Sequence, residues 1–189
     1  MTVIRDHVYS IEDLRAIEVL PENKDRRFEL VNGVIFEVPY PSPLHNLIIG
    51  NIYSPLREFV KGRNLGYVFT DSVSYSLPTG DLFAPDVSFM AHDRVTTPLP
   101  KQFMFAPNFA VEVASPSNWE RELLNKAEAL LESGTSVVWI VYPTTKVVDV
   151  CHLSTDGTLN TRKVDMDDIL EGENLLDGFT LKVRDIFEL

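Results

Sequence analysis

Cysteine is almost absent. Cys151 is the only one, which excludes an internal disulfide and any cysteine-cluster metal site. The four histidines, His7, His45, His92 and His152, show no zinc-ligand spacing. No apolar run approaches the roughly 18 residues that a membrane span requires. The first ten residues carry Arg5 and Asp6 with no apolar stretch after them, so neither a signal peptide nor a membrane partner is expected and the cytoplasm is the default compartment. A Gly-rich phosphate-cradling loop is missing, and so is a Gly-x-Ser-x-Gly nucleophile elbow. Repeats, low-complexity tracts and Gly/Ser linkers are also lacking, so the 189 residues read as one domain, 1–189.

Positive charge is scarce too. Seventeen basic against 28 acidic residues give a net charge of −11, which disfavours non-specific binding to DNA. The excess is uneven. From Asp165 to Leu189 there are eight acidic and two basic residues, so this tail holds −6 of the total and the body −5. Carboxylates gathered to hold a cation would also make a chain acidic, so the sum lowers the case for a nucleic-acid partner without removing it.

Hydrophobic residues, 44% of the chain, suffice for a core. Ser10 is placed to cap a helix over Ile11 to Val19, with Asp13 in its first turn. Phe28 to Val31, Asn32-Gly33 and Val34 to Val38 read as a hairpin, because both turn residues tolerate positive φ. Leu44 to Arg63 has helical periodicity through Leu44, Leu47, Ile48, Ile52, Leu56 and Phe59, with Pro55 expected to break or kink it. Tyr67 to Leu77 alternates as one long strand, and Pro85 to Met90 as another. His92 to Pro107 holds three prolines and reads as a loop long enough to be functional.

A strand over Phe109 to Ala114, a helix opened by a Ser117/Glu120 capping box and stopped at Gly134, and a buried strand over Ser136 to Val141 make a βαβ unit with a parallel pair. Lys146 to Leu153 and Thr158 to Val164 look like antiparallel additions. The expected fold class is α/β, a mixed sheet flanked by helices.

Glu112 is the residue that needs explaining. It lies within an apolar strand, sharing a face with Ala110 and Ala114 while Phe109, Val111 and Val113 take the other. An ionised carboxylate is rarely buried without a partner. A salt bridge or a solvent-facing position would account for it, and so would a metal. Asp86, after Pro85, could be an ordinary turn residue, and Glu29 a cross-strand ion-pair member. Lys126 stands four residues after Glu122, the spacing of a helix-surface pair. Taken together, two acids on neighbouring strands with a lysine nearby are what metal-assisted phosphodiester hydrolysis needs, since hard oxygen ligands suit Mg²⁺.

The segments Pro85-Asp86, Val111 to Ser117, Lys126 and Gly134 to Pro143 with Trp139, in this order and spacing, resemble the Uma2 family, long catalogued as a domain of unknown function. The hairpin Phe28 to Gly33 and the segment Pro41 to His45 resemble it as well, and the similarity runs from about Ser10 to the C-terminus. That family looks like the PD-(D/E)xK nuclease superfamily. The resemblance implies a restriction-endonuclease-like fold, with Asp86 and Glu112 as ligands to Mg²⁺ or Mn²⁺, and with Glu29 and Lys126 completing the catalytic set. The lysine usual two residues after the second acid is replaced by Ala114, and Lys126 matches the place to which it moves in Uma2-like proteins. Leu130, Val137 and Val138 depart from the family pattern in the scaffold. Lys24, Arg26, Arg27 and His45 are candidates for gripping nucleic acid, DNA more readily than RNA, and a homodimer is compatible with this reading. His45 could equally be a helix cap. The competing function is a catalytically silent relative that binds a partner or regulates.

Overall fold

Local chemistry places the first elements. Ser10 Oγ accepts the Asp13 amide while the Asp13 carboxylate accepts the Ser10 amide, a capping box that starts α1, Ile11–Glu18. Asn32 and Gly33, at φ of 49° and 70°, turn β1, Arg27–Val31, into β2, Val34–Val38. The computed structural model describes residues 8–38, 41–71, 73–115 and 120–189.

Helix α2, Pro43–Gly62, is capped by Ser42 and runs through Pro55 without a break. Its buried stripe of Ile48, Ile49, Ile52, Leu56 and Val60 continues on both sides of the proline, so packing outweighs one lost amide donor. Leu44 and Leu47 fall outside that stripe, at 46% and 40% exposed. Leu44 shares the face of Ile48, so the first turn of α2 extends past the core that the rest of the helix covers.

The stretch Tyr67 to Leu77 folds as two strands instead of one. β3, Gly66–Thr70, joins a six-stranded sheet, whereas β4, Tyr75–Ser76, joins β1, β2 and β5, Leu82–Phe83, in a four-stranded sheet. Alternation persists across the change of sheet, and periodicity alone does not reveal which neighbour a strand takes.

The six-stranded sheet has the order β10-β9-β8-β7-β6-β3. It contains β6, Val87–Ala91, β7, Phe109–Val113, β8, Val137–Tyr142, β9, Val147–Leu153, and β10, Leu159–Val164. The β7–β8 pair is parallel and is connected through α3, Glu120–Glu132, as the βαβ reading requires; the other pairs are antiparallel. Ser117 of the expected capping box lies outside the described residues. Gly134, at φ 101°, ends the helix in the left-handed conformation open to glycine. The chain closes with a ribbon of β11, Ile169–Glu171, and β12, Thr180–Lys182, and with α4, Val183–Ile186. The result is a mixed α/β fold, its sheets flanked by helices.

Both faces of the larger sheet are buried. Phe109, Val111, Val113 and Trp139 pack with α2, α4 and the C-terminal ribbon. On the other side Ala110, Val138 and Ile140 pack with α3 and with Tyr75 and Phe83 of the smaller sheet. The alanines beside Glu112 therefore do not mark open space, because Ala110 is fully buried in a second core. A strand covered on both faces should be apolar throughout, and Glu112 is the one residue of β7 that is not. Among the described residues no helix is long and apolar enough to cross a membrane.

Candidate active site

The register of β6 against β7 brings the acids together. Val87 pairs with Val111 and Ser88 with Ala110, so one further step sets Asp86 opposite Glu112 on the same face. Asp86 lies just before β6, where its side chain is free to bond the neighbouring strand. Its Oδ2 accepts the Val113 amide at 2.6 Å, and its Oδ1 lies 3.0 Å from His45 Nε2. His45 comes from the overhanging first turn of α2, which is what lets it reach the end of the sheet.

Glu29 arrives from the other sheet. Its Oε1 accepts the Ala84 amide at 3.0 Å, which ties β1 to the segment leading into β6. Lys126 of α3 joins the two sheets: its Nζ is 2.8 Å from Glu29 Oε2 and 2.9 Å from Glu112 Oε2. It also stands 5.7 Å from the Phe83 ring centroid. The Lys126 side chain is only 13% exposed. It therefore points into the fold, and the reading of Lys126 as a residue on a solvated helix face is set aside.

Burial pushes the Glu112 carboxyl from its usual 4.5 up to about 8; Lys126 pulls it down, while Asp86 and Glu29 push it further up. Lys126 is held above its ordinary range, because the attraction of Glu112 and Glu29 overcomes the effect of burial. One ammonium thus serves two carboxylates with Asp86 adding further negative charge, which favours a proton on Glu112. Glu112 Oε1, buried and with no hydrogen-bond partner among the described residues, is the atom open to carry it.

Among the described residues no three His, Cys, Asp or Glu side chains are grouped closely enough to hold an ion as they stand. In this arrangement Lys126 lies on Glu112 and His45 on Asp86. The donor chemistry nevertheless suits a hard divalent cation. Two carboxylates come from adjacent strands on one face, and Glu112 Oε1 is a buried acceptor without a partner.

The remaining candidates lie apart from the acids. Lys24 is exposed at the end of a short 3₁₀ turn, Pro21–Asn23. Arg26 is held by Glu37 and by Asn23 Oδ1, and Arg27 by Asp71 at 2.9 Å. Arg26 and Arg27 instead line a cleft beside Glu29. The same cleft contains Arg15 and Gln102, which the sequence did not single out; the only signal for Gln102 was its place in the long proline-containing loop.

The family model that matches this chain is Uma2, described as "Putative restriction endonuclease", and it covers residues 11–184. The fold is similar to that in the crystal structure of a "putative nuclease belonging to DUF820" from Anabaena variabilis ATCC 29413, with a TM-score of 0.81. That similarity spans 94% of this chain and 97% of the other at 20% identity. No curated protein matches the chain.

Proposed function

The chain belongs to the Uma2 family, and from that premise we propose that it is a metal-dependent nuclease hydrolysing phosphodiester bonds of nucleic acid, with DNA as the preferred substrate. The observation that supports this most is the Lys126 ammonium set between Glu29 and Glu112, nearly closed off from solvent, with Asp86 in turn acting on Glu112. A buried cation between acids from two separate sheets costs desolvation that a purely structural position has little reason to bear.

Asp86 and Glu112 would hold Mg²⁺ or Mn²⁺, which when bound activates a water and neutralises charge on the leaving oxygen. The protein's own groups account for the rest. Glu29 accepts from Lys126 and from the Ala84 amide together, so it fixes where the ammonium points. Lys126 carries the positive charge that the commoner motif places on the strand at the position of Ala114, and it is positioned to orient water or to balance charge on the phosphate. The Val113 amide and His45 hold the two oxygens of Asp86 in place. His45, beside Asp86, would also contact a phosphate oxygen of the substrate. Lys24 would supply outlying positive charge for the strand as it leaves the site, and Arg26 and Arg27 would do so only on leaving Glu37 and Asp71.

The test is a cleavage assay on single- and double-stranded DNA and RNA with Mg²⁺, with Mn²⁺ and with a chelator, alongside Asp86→Asn and Glu112→Ala. Cleavage should require the ion and fall by at least about 10²-fold in each variant, the scale of losing a principal electrostatic contact at the transition state. A folded protein that cuts none of these substrates with either ion would instead support the catalytically silent reading.

A further inference from the structure

Beside the acids, a cleft of about 260 Å³ is lined by Glu29 and Ala84 of the site and by residues of α1, β1 and the long loop. Its size lies below the roughly 300–1,000 Å³ of sites for drug-sized ligands. It therefore suits one ring system and is too small for a duplex. Phe28, Leu82 and Phe83 give it apolar and aromatic walls. Its charges balance, with Arg15, Arg26 and Arg27 against Glu18, Glu29 and Asp71. A groove that tracks phosphates would be strongly positive, and this one is not.

Two side chains that line the cleft have donor capacity left over. Arg15 donates to Gln102 Oε1 at 2.9 Å. This bond fixes the amide orientation: the oxygen faces Arg15, so Gln102 Nε2 faces away from it. That Nε2 is buried and has no hydrogen-bond partner among the described residues. Arg26 and Arg27 are each taken up by a carboxylate, whereas Arg15 has none within salt-bridge distance among the described residues. An aromatic-walled, charge-balanced slot with an amide and a guanidinium among its lining groups matches the acceptor-bearing edge of a base.

We propose that this cleft holds one unpaired nucleobase of the strand whose phosphate lies at Asp86 and Glu112, with Arg15 and Gln102 Nε2 donating to acceptor atoms on its edge. The inference rests on the nuclease reading of the neighbouring acids. It adds a substrate class: a strand that is single or locally unpaired at the base next to the cut, since a paired base cannot enter the slot without leaving its stack.

Binding can be measured without cleavage. Full-length ¹⁵N-labelled protein in chelator is titrated with the four deoxynucleoside 5′-monophosphates and with deoxyribose 5-phosphate, which lacks a base. At least one nucleotide should shift the Gln102 side-chain amide signals, and the sugar phosphate should not. Gln102→Met and Arg15→Met should each weaken that nucleotide by roughly tenfold, the scale of one well-placed hydrogen bond. An equal response to the sugar phosphate would overturn the proposal in favour of a plain phosphate site, and no response to any nucleotide would overturn it outright. A protein that cuts nucleic acid yet shows no base-dependent shift loses the base slot and keeps the nuclease reading; one that binds bases but never cuts does the reverse.

Discussion

The two faces of the six-stranded sheet are both covered, but they bury different things. Against α2 and the C-terminal ribbon the buried side chains of the sheet are hydrophobic, with Trp139 edge-on to Phe109 at 4.9 Å between ring centroids, and polar contacts such as Asn51 to the Ile186 carbonyl and His152 to Glu173 lie at the partly exposed margin. Against α3 and the smaller sheet, polar groups enter the core and each finds company. The Tyr75 hydroxyl meets Ser88 Oγ at 2.7 Å, and Glu112 meets Lys126. Buried polar groups cost free energy unless they are paired. The second face therefore gives up some hydrophobic stabilisation in order to hold charges in fixed places, and the first face supplies stability to offset it. The contrast also bears on the net charge of −11. The tail that carries −6 of it belongs to elements packed on the face opposite Glu112, so the acidic total says little about the field at the site.

The contrast is broken most directly by one substitution on each face. Trp139→Ala should cost about 3–5 kcal/mol of stability, as large-to-small changes in a closed core do, and urea melts would show it. Lys126→Met should remove about 10²–10³-fold of cleavage, equivalent to roughly 3–4 kcal/mol at the transition state. If Lys126→Met cuts at near wild-type rate, or if Trp139→Ala melts unchanged, the division of labour between the faces is wrong.

A smaller effect is the pH dependence that Glu112 imposes. Burial pushes its carboxyl up to about 8 from the usual 4.5, which favours uptake of a proton on folding across that window. Stability should therefore fall as pH rises from about 5 to about 8, by up to about 1.4 kcal/mol per pH unit for a single group. Glu112→Gln should flatten that slope in melts performed in chelator. An identical slope in the variant would assign the effect to other groups.

The smallest effect tests how far the apolar face extends. Leu44→Ser and Leu47→Ser, on the overhanging turn of α2, should each change stability by no more than about 0.5 kcal/mol. Ile48→Ala, one residue on and fully buried, should cost about 2–5 kcal/mol. Equal losses at Leu47 and Ile48 would mean that the first turn is covered in solution.

Much of this was legible in the residues themselves, for an identifiable reason. The capping box at Ser10, the turn at Asn32-Gly33, the stop at Gly134 and the βαβ unit around Glu112 all depend on interactions within a few positions, and such rules act before any distant contact forms. Glu112 stood out because a charge among β-branched and aromatic residues contradicts its own neighbourhood. Of the break or kink expected at Pro55, the break does not occur, because a local penalty is outweighed by packing on both sides of it.

What the sequence determined, then, was where the elements start and stop and which residue violates their pattern. Tertiary structure decided which partner each functional side chain would have. Lys126 reaches Glu29 across 97 positions, Arg15 reaches Gln102 across 87 and His45 reaches Asp86 across 41. Two of these side chains also had a respectable local alternative: a helix-surface pair for Lys126 and a cap for His45. Choosing between them required two sheets and two helices to be packed together, because only that packing fixes which buried charges must answer one another.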